Sequence, residues 1–144
     1  MANLIDLNLP PKQPEAVFSS VITKDGFLTL PKECLTGVNS GSLIITNSWE
    51  EGILCLYTPE SFAVVRHGLE SLNMIDPKAR LLRRLIIASA EKIEVDTEGR
   101  IQIDPEFFKN LGFDPEHDTS FSVVILKLEN RIEIVSGASY ETTQ

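Results

Sequence analysis

The stretch Thr23–Pro31 (TKDGFLTLP) decides the fold, because it recurs later in the chain as Asp96–Pro105 (DTEGRIQIDP). In both copies a polar residue stands three positions before a glycine, which is typical of a type I turn closed by a glycine at positive φ. After each glycine, apolar and polar residues alternate, which predicts a strand with one buried face. This internal repeat indicates a chain built from two copies of one β-hairpin unit.

The correspondence between the copies continues beyond the hairpins. Each copy goes on to a short helix that begins at a proline, Pro31 or Pro105, a residue favoured in the first helical turn. Two β-rich segments joined by a turn then follow. The first copy spans residues 18–62 and the second spans residues 91–140.

The segment between the copies, residues 63–90, has helical character. One helix is expected over Pro59–Leu72 and another over Asp76–Ala88, where Asp76 is a good N-cap followed by proline. Leu81, Leu82 and Leu85 are expected to form the apolar side of this second helix. The remaining parts are a flexible N-terminal arm over residues 1–17 and a C-terminal tail over residues 141–144.

The 144 residues carry a net charge of −8, divided evenly between the two halves of the chain. This charge argues against a nucleic-acid-binding protein that acts through a global positive potential, so any DNA-binding surface must be a local patch. The longest uncharged apolar run, Leu85–Ala90, is far shorter than the roughly 20 residues that span a bilayer. No basic and apolar leader opens the chain. We therefore expect a cytoplasmic protein without a membrane partner.

Motifs of enzymes and metal centres are missing from the sequence. It has no glycine-rich phosphate loop and no nucleophile motif, and His67 and His117 stand far apart without metal-ligand neighbours. Cys34 and Cys55 also stand alone, which predicts reduced thiols in the core rather than a disulfide or zinc site. We predict no enzyme activity, no catalytic residue, no cofactor and no metal.

Three stretches together carry a family resemblance. In residues 79–103 an arginine-bearing helix leads into an Asp-x-x-x-Arg turn, and the segments Gly52–Tyr57 and Asn130–Ile134 keep the order and spacing. From about residue 20 to residue 140 the chain resembles the MraZ family of transcriptional regulators. The resemblance implies an α+β, β-rich fold: a tandem pseudo-twofold repeat of AbrB-like swapped-hairpin units with short helices and a β-barrel-like core.

The same resemblance implies a function. Members of that family are DNA-binding repressors of division and cell-wall gene clusters that assemble into rings and bind direct repeats upstream of their targets. We therefore expect a nucleoid-associated homo-oligomer larger than a dimer. Phe27, Phe62 and Tyr140 are apolar positions that a single chain is not expected to cover.

The resemblance assigns DNA contact to the arginine of each Asp-x-x-x-Arg motif. The second motif is intact as Asp96 and Arg100, whereas the first has Thr23 in place of the aspartate and Phe27 in place of the arginine. The loss of one cation leaves DNA binding by the first copy in question. The predicted DNA-binding residues are Arg100, Asp96, Lys24, Lys32, Arg83 and Arg84.

Alternatives remain open for these residues. Asp96 and Arg100 also suit an exposed ion pair across a capped turn, and a charged helix face bearing Arg83 and Arg84 suits solvation or salt bridges between subunits. Phe27 is expected to point away from the core, where it can stack on a base, pack on another subunit or fold back on its own hairpin. The alternative function is an oligomeric interaction protein of the same fold that has lost DNA binding.

Overall fold

The computed structural model describes residues 14–38 and 41–142, which contain eight strands and four α-helices. Two short 3-10 helices, Lys32–Leu35 and Pro105–Phe107, follow the second and sixth strands. Within these residues no helix is both long and apolar enough to cross a bilayer. In chain order the elements are β1 (Ala16–Thr23), β2 (Phe27–Thr29), β3 (Ser42–Asn47), β4 (Ile53–Tyr57), α1 (Pro59–Glu70), α2 (Pro77–Ile87), β5 (Glu91–Glu94), β6 (Arg100–Gln102), α3 (Phe108–Leu111), β7 (Ser120–Lys127), β8 (Ile132–Ser136) and α4 (Gly137–Thr142).

Six of the strands form one antiparallel sheet in the order β1-β7-β8-β4-β3-β5. The first strand of each half of the chain lies beside strands of the other half, because β1 pairs with β7 and β5 pairs with β3. The remaining strands, β2 and β6, pair with each other as a separate two-stranded ribbon. The two halves are therefore interleaved rather than packed side by side.

The expected barrel-like closure is not found. Within the described residues the sheet ends at β1 on one side and at β5 on the other, and no ladder joins these two edge strands. The reason lies in the two hairpin turns, which lead the chain out of the sheet. After each turn the backbone groups of β2 and β6 bond to each other instead of continuing a ladder with β1 or β5.

Apolar side chains cover both faces of the sheet, because successive residues of a strand point to opposite faces. On one face Leu28 and Ile101 of the ribbon pack onto the larger core, which includes Leu54 and Ile125, and all four are essentially inaccessible to solvent. The opposite face carries a second core that joins Cys55 and Tyr57 of β4 to apolar residues of α1 and α2. The ribbon and the α1–α2 hairpin therefore lie on opposite faces of the sheet.

Several predictions about the helical segment are tested by this packing. Asp76 caps α2 as predicted, since its Oδ1 accepts a hydrogen bond from the Lys78 amide at 2.9 Å. The predicted apolar side of α2 is wrong in part: Leu82 is buried, but Leu81 and Leu85 are exposed. The residues that α2 buries are spaced at three and four positions, as one helix face requires, and they are Ala79, Leu82 and Ile86.

Two further predictions concern burial. Phe62 was expected to need cover from another chain, but it is buried within the second core, with its ring centroid 5.6 Å from that of Tyr57. The prediction that Cys34 and Cys55 are reduced core thiols is confirmed, because both are buried and free. Burial raises the pKa of each thiol to about 11, so neither is a thiolate near neutral pH.

Candidate nucleic-acid interface

The β2–β6 ribbon presents one apolar and one exposed face. Leu28 lies opposite Ile101 on the inner face, and both are buried. On the outer face Phe27 lies opposite Gln102, and Thr29 lies opposite Arg100. The prediction that Phe27 points away from the core is confirmed by this alternation, and Arg100 points to the same side.

Each end of the ribbon is fixed to the turn of the other strand. The Leu30 amide donates to the Gly99 carbonyl, and the Ile103 amide donates to the Gly26 carbonyl, both at 2.8 Å. Both glycines adopt positive φ, 90° at Gly26 and 83° at Gly99. A Cβ atom at Gly26 would lie 2.6 Å from the Ile103 carbonyl oxygen. A larger residue is therefore excluded at this position both by the positive φ and by the lack of space.

Asp96 organises the second turn through both of its carboxylate oxygens. Its Oδ1 accepts hydrogen bonds from the amides of Glu98 at 2.9 Å and Arg100 at 2.8 Å. Its Oδ2 accepts a hydrogen bond from Arg100 Nε, also at 2.8 Å. The hydrogen bond from the Arg100 amide contributes most to lowering the pKa of the Asp96 carboxyl below its ordinary value, and the bonds from Arg100 Nε and the Glu98 amide act in the same direction. The hydrogen bond to Asp96 in turn raises the pKa of Arg100.

The guanidinium of Arg100 is held at one end only. Nε bonds to Asp96 and lies 3.5 Å from a carboxylate oxygen of Glu98, whereas neither terminal nitrogen has a hydrogen bond to any other described residue. The side chain is about half exposed. Two parallel N–H donors therefore project from the ribbon, in the fork that matches guanine O6 and N7 or a phosphate.

The first turn keeps its backbone geometry without the charged pair. Thr23 Oγ1 accepts a hydrogen bond from the Phe27 amide at 3.1 Å, but a threonine has no second oxygen that can hold an arginine. The Phe27 ring folds back on its own ribbon, where the Arg100 Cζ atom lies over it, 5.6 Å from the ring centroid. The position that lacks an arginine thus supplies an aromatic surface to the arginine that remains.

The structure does not bring the six predicted residues into one patch. Asp96 and Arg100 lie together at one end of the ribbon, and Lys24 lies exposed in the turn at the other end. Lys32 is exposed in the 3-10 helix that follows β2.

The two arginines of α2 lie in the helical layer across the sheet from the ribbon. Arg83 Nη2 is 4.0 Å from a carboxylate oxygen of Glu70, and Arg83 Nη1 contacts the Met74 sulfur at 3.5 Å. Arg84 is exposed on the same helix. Neither arginine can join a contact surface centred on the ribbon of its own subunit.

Sequence reasoning missed two positioning contacts. Arg80 Nη1 donates to the carbonyls of Met74 and Ile75, at 2.7 and 3.2 Å, and so fixes the loop between α1 and α2. The contact between Phe27 and Arg100 was missed because it depends on the pairing of β2 with β6. Phe27 and Arg100 stand at equivalent positions in the two copies of the repeat, and this equivalence was the sequence signal that could have predicted their contact.

The sheet, the ribbon and the half-anchored Arg100 define a small, strand-rich protein of mixed helices and antiparallel strands that presents an arginine on a two-stranded ribbon. Named relatives share most of its length. A transcriptional regulator MraZ of Coxiella burnetii is 34% identical over 113 residues, which are 78% of this chain and 70% of that protein. Another from Legionella pneumophila is 30% identical over 124 residues, 84% of this chain and 78% of that protein.

A third MraZ transcriptional regulator, from Hydrogenovibrio crunogenus, is 25% identical over 122 residues, covering 83% of this chain and 76% of that protein. No family model matches the chain. The identity and coverage of these relatives show that the chain belongs to the MraZ family, as the sequence resemblance predicted.

Proposed function

We propose that this protein is a sequence-specific DNA-binding transcriptional regulator and that the outer face of the β2–β6 ribbon contacts DNA. The observation that carries the proposal is Arg100, whose Nε is fixed on Asp96 while its two terminal nitrogens have no partner among the described residues. Arginine donating two parallel bonds to guanine is the commonest specific protein–DNA contact. The names of the relatives, transcriptional regulators, support the same role.

The shape of the ribbon supports a particular mode of contact. The major groove of B-DNA admits a two-stranded β-ribbon, and both strands of this ribbon expose one side. Arg100 would read a base edge, while Lys24 and Lys32 would contact phosphates from the ends of the ribbon. Arg83 and Arg84 lie across the sheet, and for them we propose contacts between subunits.

The charge of the protein makes oligomerisation part of the proposal. A chain with a net charge of −8 and one arginine per ribbon has little general attraction for DNA. A ring-like homo-oligomer larger than a dimer would present several ribbons at once. Their weak individual contacts would then combine into a higher affinity for DNA that carries direct repeats. Large apolar side chains exposed on the α1–α2 hairpin support such an assembly, and they include Val64, Ile75 and Leu81.

We further propose that residues 18–62 and 91–140 are two copies of one unit, joined by residues 63–90. The strand order supports this, because exchanging each strand with its counterpart in the other half turns the order β1-β7-β8-β4-β3-β5 into its own reverse. The family role we assign is repression of a division or cell-wall gene cluster, in the cytoplasm and at the nucleoid.

A mobility-shift assay at two salt concentrations tests the proposed function, with duplex DNA from upstream of the protein's own gene as the probe. We expect a specific complex that survives excess unrelated DNA and weakens as salt rises, because phosphate contacts release counterions. An oligomer that leaves the probe unshifted at low salt would contradict the proposal.

That negative result would favour the second candidate function, an oligomeric interaction protein of the same fold. The observation in its favour is the first turn, where Phe27 stands in place of the motif arginine and the lysine of the turn itself, Lys24, is followed directly by Asp25. An interaction protein would keep the assembly and lose the DNA complex, so the two functions separate in one experiment.

A further inference from the structure

We infer that Phe27 is the positioning residue for Arg100, so that the degenerate first motif serves the intact second one by orienting its guanidinium for guanine. This inference rests on the proposed function, since it concerns how the ribbon reads DNA. It adds a role for a residue whose chemistry has no counterpart in the Asp-x-x-x-Arg pattern.

Three groups surround the base of the Arg100 guanidinium. Asp96 Oδ2 accepts the hydrogen bond from Nε at 2.8 Å, and a carboxylate oxygen of Glu98 lies 3.5 Å from the same nitrogen. The Phe27 ring lies on another side, with Cζ 5.6 Å from its centroid. A cation within about 6 Å of a ring centroid is attracted to the ring face. The carboxylates and the ring thus restrict the guanidinium without using its terminal nitrogens.

The neighbouring backbone holds the ring in place for this contact. The Phe27 amide donates to Thr23 Oγ1 at 3.1 Å, and Leu28, the next residue, is buried beneath the ribbon. Phe27 is therefore fixed at the start of β2, diagonally across the ribbon from Arg100. Its ring is a rigid surface because it has only two rotatable side-chain bonds.

An arginine in place of Phe27 would put a second cation beside Arg100, which adds charge but also repulsion between neighbouring guanidinium groups. Phe27 adds no charge and limits the orientations of the one cation present. Loss of the ring should therefore leave phosphate attraction unchanged, because every charge remains. It should reduce the discrimination of guanine, because a bidentate contact depends on the orientation of the fork.

The test compares Phe27→Leu and Phe27→Tyr with the parent on two probes. One is the upstream duplex, and the other is the same duplex with its guanines replaced by 7-deazaguanine, which lacks the N7 acceptor. In the parent, the ratio of the two Kd values measures reading of guanine N7. We expect Phe27→Leu to reduce this ratio by about two- to fivefold per ribbon, as loss of an exposed cation–π contact predicts, and Phe27→Tyr to restore it.

Two further measurements separate positioning from a structural role. The slope of log Kd against log salt should be the same in Phe27→Leu and the parent, because no phosphate contact is removed. In NMR spectra the Arg100 side-chain protons should be shifted upfield by the ring in the parent and in Phe27→Tyr, but not in Phe27→Leu. Phe18→Leu is the matched control for the loss of an aromatic ring that packs on the main core, since Phe18 is half-buried on β1 at the edge of that core.

Each outcome bears on the inference. Unchanged guanine discrimination in a folded Phe27→Leu variant, while the parent discriminates, overturns the positioning role and leaves the proposed function standing. A parent that binds neither probe overturns both. If Phe27→Leu does not fold, Phe27→Met provides the same comparison, because it keeps apolar volume without a ring.

Discussion

Thr23 Oγ1 accepts the Phe27 amide at 3.1 Å, in the same way that Asp96 Oδ1 accepts the Arg100 amide at 2.8 Å. The two turns are therefore closed alike, although one motif has lost both of its charged residues. A hydroxyl oxygen can accept the same backbone donor, but its bond is longer than the charge-assisted bond to the carboxylate, and it provides no second acceptor for a guanidinium. The first turn has changed its surface chemistry and has kept both the backbone bond from its glycine amide and the side-chain bond that closes it.

Removal of the ribbon arginine should strongly weaken specific DNA binding. Arg100→Ala should reduce affinity for the upstream duplex by roughly ten- to hundredfold for each ribbon engaged, because a bidentate base contact is lost. Folding should be nearly unaffected, since the side chain lies at the surface. Mobility shift and thermal unfolding measure the two effects.

The matched control is Arg66→Ala, which removes an exposed arginine from α1 whose Nε is 3.6 Å from Glu70. This variant should bind DNA as the parent does once light scattering shows that its assembly is intact, because α1 lies across the sheet from the ribbon. Equal losses in the two variants would show that net charge matters and that the ribbon is not the reading surface.

Restoring the charged pair in the first turn should raise the salt-dependent affinity for DNA, while loss of the Phe27 ring should lower the discrimination of guanine. The double variant Thr23→Asp and Phe27→Arg can keep the turn-closing bond, because an aspartate oxygen can accept the amide that Thr23 now accepts. Each added phosphate contact should steepen the slope of log K against log salt by roughly 0.9. An unchanged slope in a folded, assembled variant would mean that the first turn does not face DNA.

The Asp96 turn should be insensitive to pH near neutrality. The pKa of Asp96 is lowered below 3.8, first by the Arg100 amide, so its contribution to stability is complete above the unfolded pKa and is lost as pH falls through the folded one. Carboxyl NMR titration should give a midpoint below 3.8 in the parent. Arg100→Ala should raise the pKa only in part, because alanine keeps the amide; a midpoint at or above 3.8 in the parent contradicts the geometry.

The pair formed by Arg131 and Glu133 should be the most sensitive charged feature of the fold. Both side chains are buried, and Arg131 Nε and Nη2 each lie 2.9 Å from Glu133 Oε2. Arg131→Ala leaves a buried carboxylate without its partner and should cost about 3–5 kcal/mol of unfolding free energy. Denaturant unfolding measures this cost.

The exposed neighbour Glu129 provides the control for that measurement, since Glu129→Ala should change stability by less than about 0.5 kcal/mol. A second check is the double variant Arg131→Met with Glu133→Leu, which should recover most of the loss because an apolar pair can replace a buried ion pair. If Arg131→Ala is as stable as the parent, the pair is not buried in solution.

The α1–α2 hairpin should form a contact between subunits. Ile75 and Leu81 are 82% and 56% exposed, so the double variant Ile75→Glu and Leu81→Glu should reduce an assembly larger than a dimer to smaller species. Lys92→Glu, on the exposed edge strand β5, is the control that alters charge alone. Light scattering measures the mass, and a monodisperse parent monomer at micromolar concentration would rule out the assembly.

The sequence alone determined the order of elements and the outward direction of the ribbon side chains. Turn glycines, prolines at helix starts and alternation after Gly26 and Gly99 act within a few residues, so their consequences can be predicted locally. The two β-rich segments predicted after the short helix of each copy are found as β3 and β4 in the first copy and as β7 and β8 in the second. The sequence also indicated an exposed ion pair between Asp96 and Arg100 as an alternative to DNA contact, and this ion pair is present.

Only the tertiary structure decided which strands meet and what their meeting buries. The pairings of β1 with β7 and of β2 with β6 join residues about seventy or more positions apart, and no local pattern specifies such partners. Those pairings place Phe27 beside Arg100 and leave the sheet open rather than barrel-like. Packing also places the helices on the opposite face of the sheet from the ribbon, because successive residues of a strand point to opposite faces and each face needs its own cover. This placement separates Arg83 from the ribbon.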